Sequence, residues 1–197
     1  MDMRIAHGVT PILVLFISAL LGGAGQAQTP MAPAGKFFQK QPPAKVDKDL
    51  EPLISPNNSR VVVSISKQRA YVMFDNQTYI DTPVSSGKAG HETPKGSFHV
   101  LEKDPNHSSS IYGQFQDRQG RVVRDGVSMH SDSAPAGTHY VGAPMKWFMR
   151  LTDQGVGMHV GILPGYAASH GCVRLPADIA KLIFDKVKVG TPVTIEQ

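Results

Sequence analysis

Short runs of β-branched and aromatic residues, broken by glycine and proline, recur along the chain from Arg60 onward. "RVVVSIS" (60–66) and "RAYVMFD" (69–75) are joined by "KQ", a spacing that predicts a hairpin. "TYIDTPVSS" (78–86), "GSFHVLE" (96–102), "KWFMRL" (146–151), "GVGMHVG" (155–161) and "TPVTIE" (191–196) extend the strand pattern. One segment has helical spacing instead. Ile179, Ile183 and Val187 fall on one face with Ala180 and Phe184 beside them. Pro176 suits the first helical position, Lys186 and Lys188 complement the C-terminal dipole, and Gly190 ends the element. Helical crossovers do not separate the strands. The pattern therefore predicts a mainly β, sandwich-like domain over residues 60–197 with one C-terminal helix, not alternating βαβ units.

The segment before Arg60 reads differently. Residues 1–27 carry Arg4, an apolar run from Pro11 to Leu21 and small residues ending at Ala27, the layout of a cleaved signal peptide. The alternative, a retained anchor, needs about 20 apolar residues to cross a bilayer, and this run is shorter. No cysteine follows it, so a lipid-modified N-terminus is excluded. Residues 28–59 are rich in proline, lysine and glutamine and predict an extended leader or linker. The expected mature chain is soluble and exported, to a periplasm or cell envelope. Cleavage removes Asp2 and Arg4 and leaves the net charge of +4 unchanged. That balance suits anionic envelope polymers or plain solubility. No dense Lys/Arg block with interleaved aromatics is present, so nucleic acid is not an expected partner.

The chain has a single cysteine, Cys172, in "SHGCVR" (169–174) just ahead of the helix. An exported protein with one cysteine forms no internal disulfide, and a free thiol there is open to oxidation. A small buried hydrophobe is the bland reading. Against it, Gly171 permits unusual dihedrals, His170 and Arg174 bring cationic groups that favour the thiolate, and the adjoining helix start gathers backbone N–H groups. No histidine follows Cys172, so the base precedes the nucleophile, unlike the papain-like order. His130, His139, His159 and His170 are the candidates. His159 is favoured, because the short "ILPGYAA" loop returns the chain beside its strand. His91, His99 and His107 read as surface groups. A zinc set from His130, His139, His159, His170 and Cys172 lacks any close His pair or second cysteine, so no metal or cofactor is implied.

"MHVGILPGYAASHGCVRL" (158–175) resembles the active-site signature of the L,D-transpeptidases, the YkuD-type catalytic domain. "RVVVSISKQRAYVMFD", "PVSSGKAGHETPKGSF" and "GTPVTI" are similar to that family's opening hairpin, its Ser-x-Gly-Lys…Thr-Pro-x-Gly segment and its last strand. Val160 departs from the glycine that many members have after the histidine, and residues 104–140 do not align.

The resemblance implies an enzyme acting on peptidoglycan stem peptides. Cys172 is the implied nucleophile, attacking the L-centre carbonyl of the diamino acid and expelling the terminal D-alanine. His159 is the proton donor and acceptor, Gly171 offers an oxyanion backbone N–H, and His170 supports the turn or the oxyanion. Arg174, Ser169, Tyr166 and Trp147 are the candidate substrate contacts. Arg174 is alternatively a salt-bridge partner, Ser169 a turn cap and Trp147 part of a core strand. The acceptor is an amine: another stem, an envelope lipoprotein lysine or a D-amino acid. Carbapenem-type inhibitors are expected to acylate the thiol. The competing readings are a hydrolytic carboxypeptidase or amidase using the same site, a non-catalytic envelope-binding module, and a zinc enzyme.

Overall fold

Backbone pairing sorts the strand-forming runs into three sheets. The computed structural model describes residues 38–197. The expected signal peptide and the first part of the leader lie outside the described residues. In chain order the strands are β1 (Lys45–Val46), β2 (Ser59–Ser64), β3 (Arg69–Phe74), β4 (Gln77–Pro83), β5 (Gly96–His99), β6 (Glu102–Asp104), β7 (Ser108–Gln116), β8 (Val122–Ser128), β9 (His139–Pro144), β10 (Phe148–Arg150), β11 (Gly157–Val160) and β12 (Val173–Leu175). Helix α1 (Ala177–Lys186) and strand β13 (Pro192–Glu196) complete the chain.

A six-stranded sheet runs β1-β4-β3-β2-β13-β5 and a four-stranded sheet β12-β11-β10-β6. Alternation aims one face of each at a shared core. Val61, Val63, Ala70, Val72, Val193 and Ile195 from the first sheet meet Met149, Met158, Val173 and Leu175 from the second. Full burial of such side chains stabilises by about 1.5–3 kcal/mol each. Ile179, Ala180 and Ile183 of α1 close the same core.

Two elements differ from the sequence pattern. "GSFHVLE" is a corner: β5 pairs with β13, whereas β6 pairs with β10. Between them Val100 N–H donates to Thr191 O and Leu101 N–H to Arg150 O, so the chain changes sheets without losing backbone partners. The helix starts one residue later and ends earlier than expected. Pro176 is its N-cap, and Val187 is already extended and fully buried. A β-branched residue gains more from the core than from another helical turn, and Gly190, at φ +90°, serves the following turn instead.

The leader is not a free tether where it is described. β1 pairs with β4, Leu50 and Ile54 join the core, and Gln39 N–H donates to Pro164 O. Pro42 and Pro43 lack N–H groups but keep their carbonyls, and Arg69 donates to both. The same guanidinium pairs with Asp81 at 2.6 Å, its side chain only 10% exposed. Composition alone read this segment as an extended leader or linker because it is rich in proline, lysine and glutamine.

The third sheet, β8-β7-β9, is built from residues 108–144, largely the stretch that does not align with the family. Phe115 and Val127 are buried within it, and Tyr140 Oη donates to Ser109 O at 3.0 Å. No described helix is long and apolar enough to cross a membrane.

Arg69→Ala removes an ion pair and two carbonyl contacts at once. It should destabilise the protein by about 1–3 kcal/mol, seen as a lower urea midpoint with an unchanged slope.

Candidate active site

The parallel register of β11 and β12 sets the site. Met158 lies opposite Val173, His159 opposite Arg174 and Val160 opposite Leu175. Met158, Val173 and Leu175 are buried in the core, so His159 and Arg174 occupy the other face. Cys172 stands immediately before β12, in a bend two residues ahead of Arg174. The pairing of β11 with β12 thus puts His159 and Cys172 on adjacent chain segments.

Backbone bonds hold the loop that makes this pairing possible. Ser85 and Arg174 exchange N–H···O bonds, Ser86 O accepts from both Ala168 and Ser169, and Lys88 N–H donates to Ser169 O. Thr93 Oγ1 accepts from Gly87 N–H (2.8 Å) and donates to Gly171 O (2.7 Å). The "SSGK…TPKG" segment is therefore the clamp on the Ser-His-Gly-Cys turn. Gly171 sits at φ +121°, a conformation that L side chains rarely adopt. A Cβ there would touch only Val156, so the dihedral, not space, demands glycine. At Gly161 space decides: a Cβ would lie 2.6 Å from Arg174 Cγ. The close-approach glycine thus stands one position after Val160.

His159 is 8% exposed, and its Nδ1 lies 2.7 Å from Val160 O. A carbonyl only accepts, so the proton is on Nδ1 and Nε2 keeps a lone pair. Burial, with a smaller contribution from Arg174, drives the imidazole pKa down to about 4. Phe148 lies tilted against the ring at 6.3 Å, with His107 stacked on Phe148 at 4.3 Å.

The Cys172 thiol contacts Gly155 O at 3.7 Å. Its pKa is raised, because desolvation outweighs the Gly157 N–H and the Arg174 and Arg150 charges. This corrects the expectation of a thiolate favoured by neighbouring cations. His170 contributes no such charge: partial desolvation, then the Lys88 ammonium, lowers its own pKa. Lys88 Nζ lies 3.1 Å from His170 Nε2 and can only donate, so that ring is a neutral Nδ1–H tautomer. Tyr112 stacks on it at 4.4 Å and His91 meets it edge-on at 4.9 Å.

A cleft of about 350 Å³ is lined by His170 and Arg174 on one side and by Tyr112, Asp125, Val127 and Val141 of the third sheet among others on the other; His159 and Cys172 are not among its lining residues. Other expected site residues are placed elsewhere. The Gly171 N–H is taken by Ser169 Oγ at 3.1 Å, so it is not an open oxyanion donor. Ser169 is 1% exposed and also donates to Cys172 O, making it a turn residue rather than a substrate contact. Trp147 packs edge-on against Phe184 of α1 at 5.2 Å, with Lys181 over its ring, and does not line the cleft. Tyr166 lies in the 161–168 loop, where its carbonyl accepts Ser85 Oγ, and it too is not among the cleft residues. His91, His99, His130 and His139 are exposed, and among the described residues no group of three His, Cys, Asp or Glu side chains is placed to hold a metal ion. Sequence reasoning missed Tyr112, Phe148, Thr93 and the ring contact of Lys88. Only Thr93 and Lys88 had a signal, in the segment clamping the turn.

The L,D-transpeptidase catalytic domain family, YkuD, matches residues 58–195. L,D-transpeptidase 1 of Mycobacterium tuberculosis is 31% identical over 144 residues, covering 68% of this chain and 49% of that protein. The chain spans about half the length of the curated relatives it matches. An L,D-transpeptidase structure from Mycobacterium smegmatis superposes with a TM-score of 0.54 at 23% identity, over 71% of this chain and 59% of that one. The structure of LdtMt1 in complex with imipenem gives 0.53 at 24%, over 70% and 58%. These two likenesses speak for the fold. The family match over residues 58–195 places this chain in the L,D-transpeptidase catalytic-domain family.

Two measurements check the site as described. Gly171→Ala should cost about 1–3 kcal/mol in stability through backbone strain, read from thermal or urea unfolding. In the unliganded protein, alkylation of Cys172 by iodoacetamide should stay slow at neutral pH and rise only above pH 9, the thiol's ordinary value. A half-maximal rate below pH 8 would contradict the neutral thiol.

Proposed function

We propose that this protein is an exported cysteine L,D-transpeptidase that acts on peptidoglycan stem peptides. One observation carries the reading: His159, locked as an Nδ1–H tautomer with a free Nε2 lone pair, stands on the strand that pairs with the one the lone Cys172 leads into. Nε2 takes the thiol proton as Sγ bonds to the carbonyl carbon of the diamino acid. The tetrahedral intermediate then collapses, the C–N bond to the terminal D-alanine breaks, and His159 returns the proton to the leaving amine. An incoming amine reverses the sequence. It gives its proton to His159, its nitrogen bonds to the thioester carbon, and the C–S bond breaks to restore the thiol.

The oxyanion falls to the Cys172 N–H and the neutral His170 ring, since Gly171 N–H is engaged by Ser169. A single donor of this kind is worth about 3–4 kcal/mol to the transition state. Arg174 is the substrate-carboxylate contact. Residues 1–27 direct export in this reading. The imipenem bound in the LdtMt1 structure supports carbapenems as acylating inhibitors here.

Incubation of the full chain with defined muropeptides, followed by mass spectrometry, tests the proposal. Cross-linked dimers with released D-alanine are expected; shortened stems alone would make the protein a hydrolase. Cys172→Ala and His159→Ala should each lose at least about a thousandfold in turnover. Intact mass should show a single carbapenem adduct, absent from Cys172→Ala. Protonation of Nε2 removes the base, so activity should be lost as pH falls through about 4 and persist at pH 5.5. An acid limb near 6.5 would show an imidazole not held in this environment.

A further inference from the structure

Three non-glycine residues among those described have a positive φ: Gln68 at 50°, Asp75 at 50° and Trp147 at 57°. Gln68 and Asp75 both stand in hairpin turns, the first between β2 and β3, the second between β3 and β4. Glycine, asparagine and aspartate take this backbone most readily, so Asp75, short and exposed, is ordinary there. Gln68 is not. Its long side chain is half-buried, and its carboxamide makes three hydrogen bonds. Nε2 donates to Ile65 O and to Ser86 Oγ, each at 2.7 Å, and Oε1 accepts from Ser86 N–H at 3.0 Å. Ile65 O can only accept and Ser86 N–H can only donate, so the orientation of the amide is fixed. Ser86 is fully buried, and its carbonyl is the one that accepts from Ala168 and Ser169 N–H. Ser169 in turn bonds Gly171 N–H and Cys172 O. Ser86 thus links the hairpin tip to the turn that carries the sulfur. The Gln68 carbonyl is occupied as well, by Val84 N–H at 2.9 Å and by Gln41 Nε2 at 3.2 Å.

We propose that Gln68 is a positioning residue for the reaction: it holds Ser86 in place and, through the Ser86 carbonyl, the turn bearing Cys172. An unfavourable φ is kept at the hairpin tip because it aims a long amide at a buried serine. Without that amide the Ser86 N–H and Oγ lose partners they cannot replace with water, and the chain shifts toward other ones. Ser86 O then no longer stands where Ala168 and Ser169 point. Misplacement of a reacting group by a change far from the chemistry is costly in rate. The inference rests on the transpeptidase reading for its turnover measurement, and on hydrogen exchange for one that needs no activity.

Two full-length variants test it. Gln68→Gly eases the backbone but carries no amide. Gln68→Asn keeps the amide and tolerates the same backbone, but it is one methylene shorter and does not reach Ser86. If Gln68 served the turn alone, both would match or exceed the parent. Amide hydrogen exchange followed by NMR is the first readout. Exchange at Ala168 and Ser169 should rise about tenfold more than in β13. Asp75→Gly, the same easing in the neighbouring turn, should leave it unaltered. Turnover of defined muropeptides is the second readout: kcat should fall about tenfold or more, with KM within about twofold of the parent. Parent-like exchange at Ala168 and Ser169, or a rise shared equally with β13, overturns the proposal. So does raised exchange with kcat intact in an active parent. An inactive parent would remove the transpeptidase reading instead, and exchange alone would then decide whether Gln68 holds the turn.

Discussion

Parallel pairing of β11 with β12 is the constraint around which the molecule is arranged. Parallel neighbours cannot be joined by a tight turn, and the usual connection is a helix. Here residues 161–172 make the return without one. A loop of that kind has no internal ladder to satisfy its polar backbone, so the bonds come from outside it. Ser85, Ser86 and Lys88 supply them from the chain after β4, and Gln39 from the N-terminal side. Thr93 grips the Gly171 carbonyl itself. Segments distant in sequence thus converge to fix one turn, and through it the position of the sulfur.

Burial dominates the electrostatics of that turn. Arg174 and Arg150 both favour a charged sulfur, yet desolvation outweighs them. The same effect keeps His159 neutral. The resting pair is thiol and imidazole, not thiolate and imidazolium. An uncharged pair suits a site that lies partly away from water, because separating charge there without a stabilising partner is costly. The Lys88 contact extends this logic to His170, whose ring is held as a neutral donor between Tyr112 and His91.

The fold was legible where one period ran uninterrupted. The hairpin of β2 and β3, the strand carrying His159 and the last strand follow directly from alternating or β-branched runs. The corner at Val100 was not legible, since both of its strands use the same alphabet and only their partners differ. Helix length was overread because Val187 satisfies helical spacing and core burial equally well. At the site, chain order put the base ahead of the single cysteine, and the short loop after its strand singled out His159 among the histidines there. The clamp and the covering sheet were not. Thr93 acts through a hydroxyl bridging two backbones, and Tyr112 through a ring stack, and neither interaction leaves a periodic trace. Trp147 was left open between a groove and a core strand, since a large aromatic suits both; it packs against Phe184 at the edge of the core.

The N-terminal segment changes where this domain begins. Similarity to the family starts at residue 58, but burial starts earlier, with Leu50 and Ile54 in the core and β1 along β4. A fragment trimmed to the matched span would leave Ile80 and Asp81 on a bare strand edge beside a hydrophobic gap. Such edges recruit strands from other molecules. The unit that folds cleanly is therefore longer than the unit that similarity outlines, and self-association would be the penalty for confusing them.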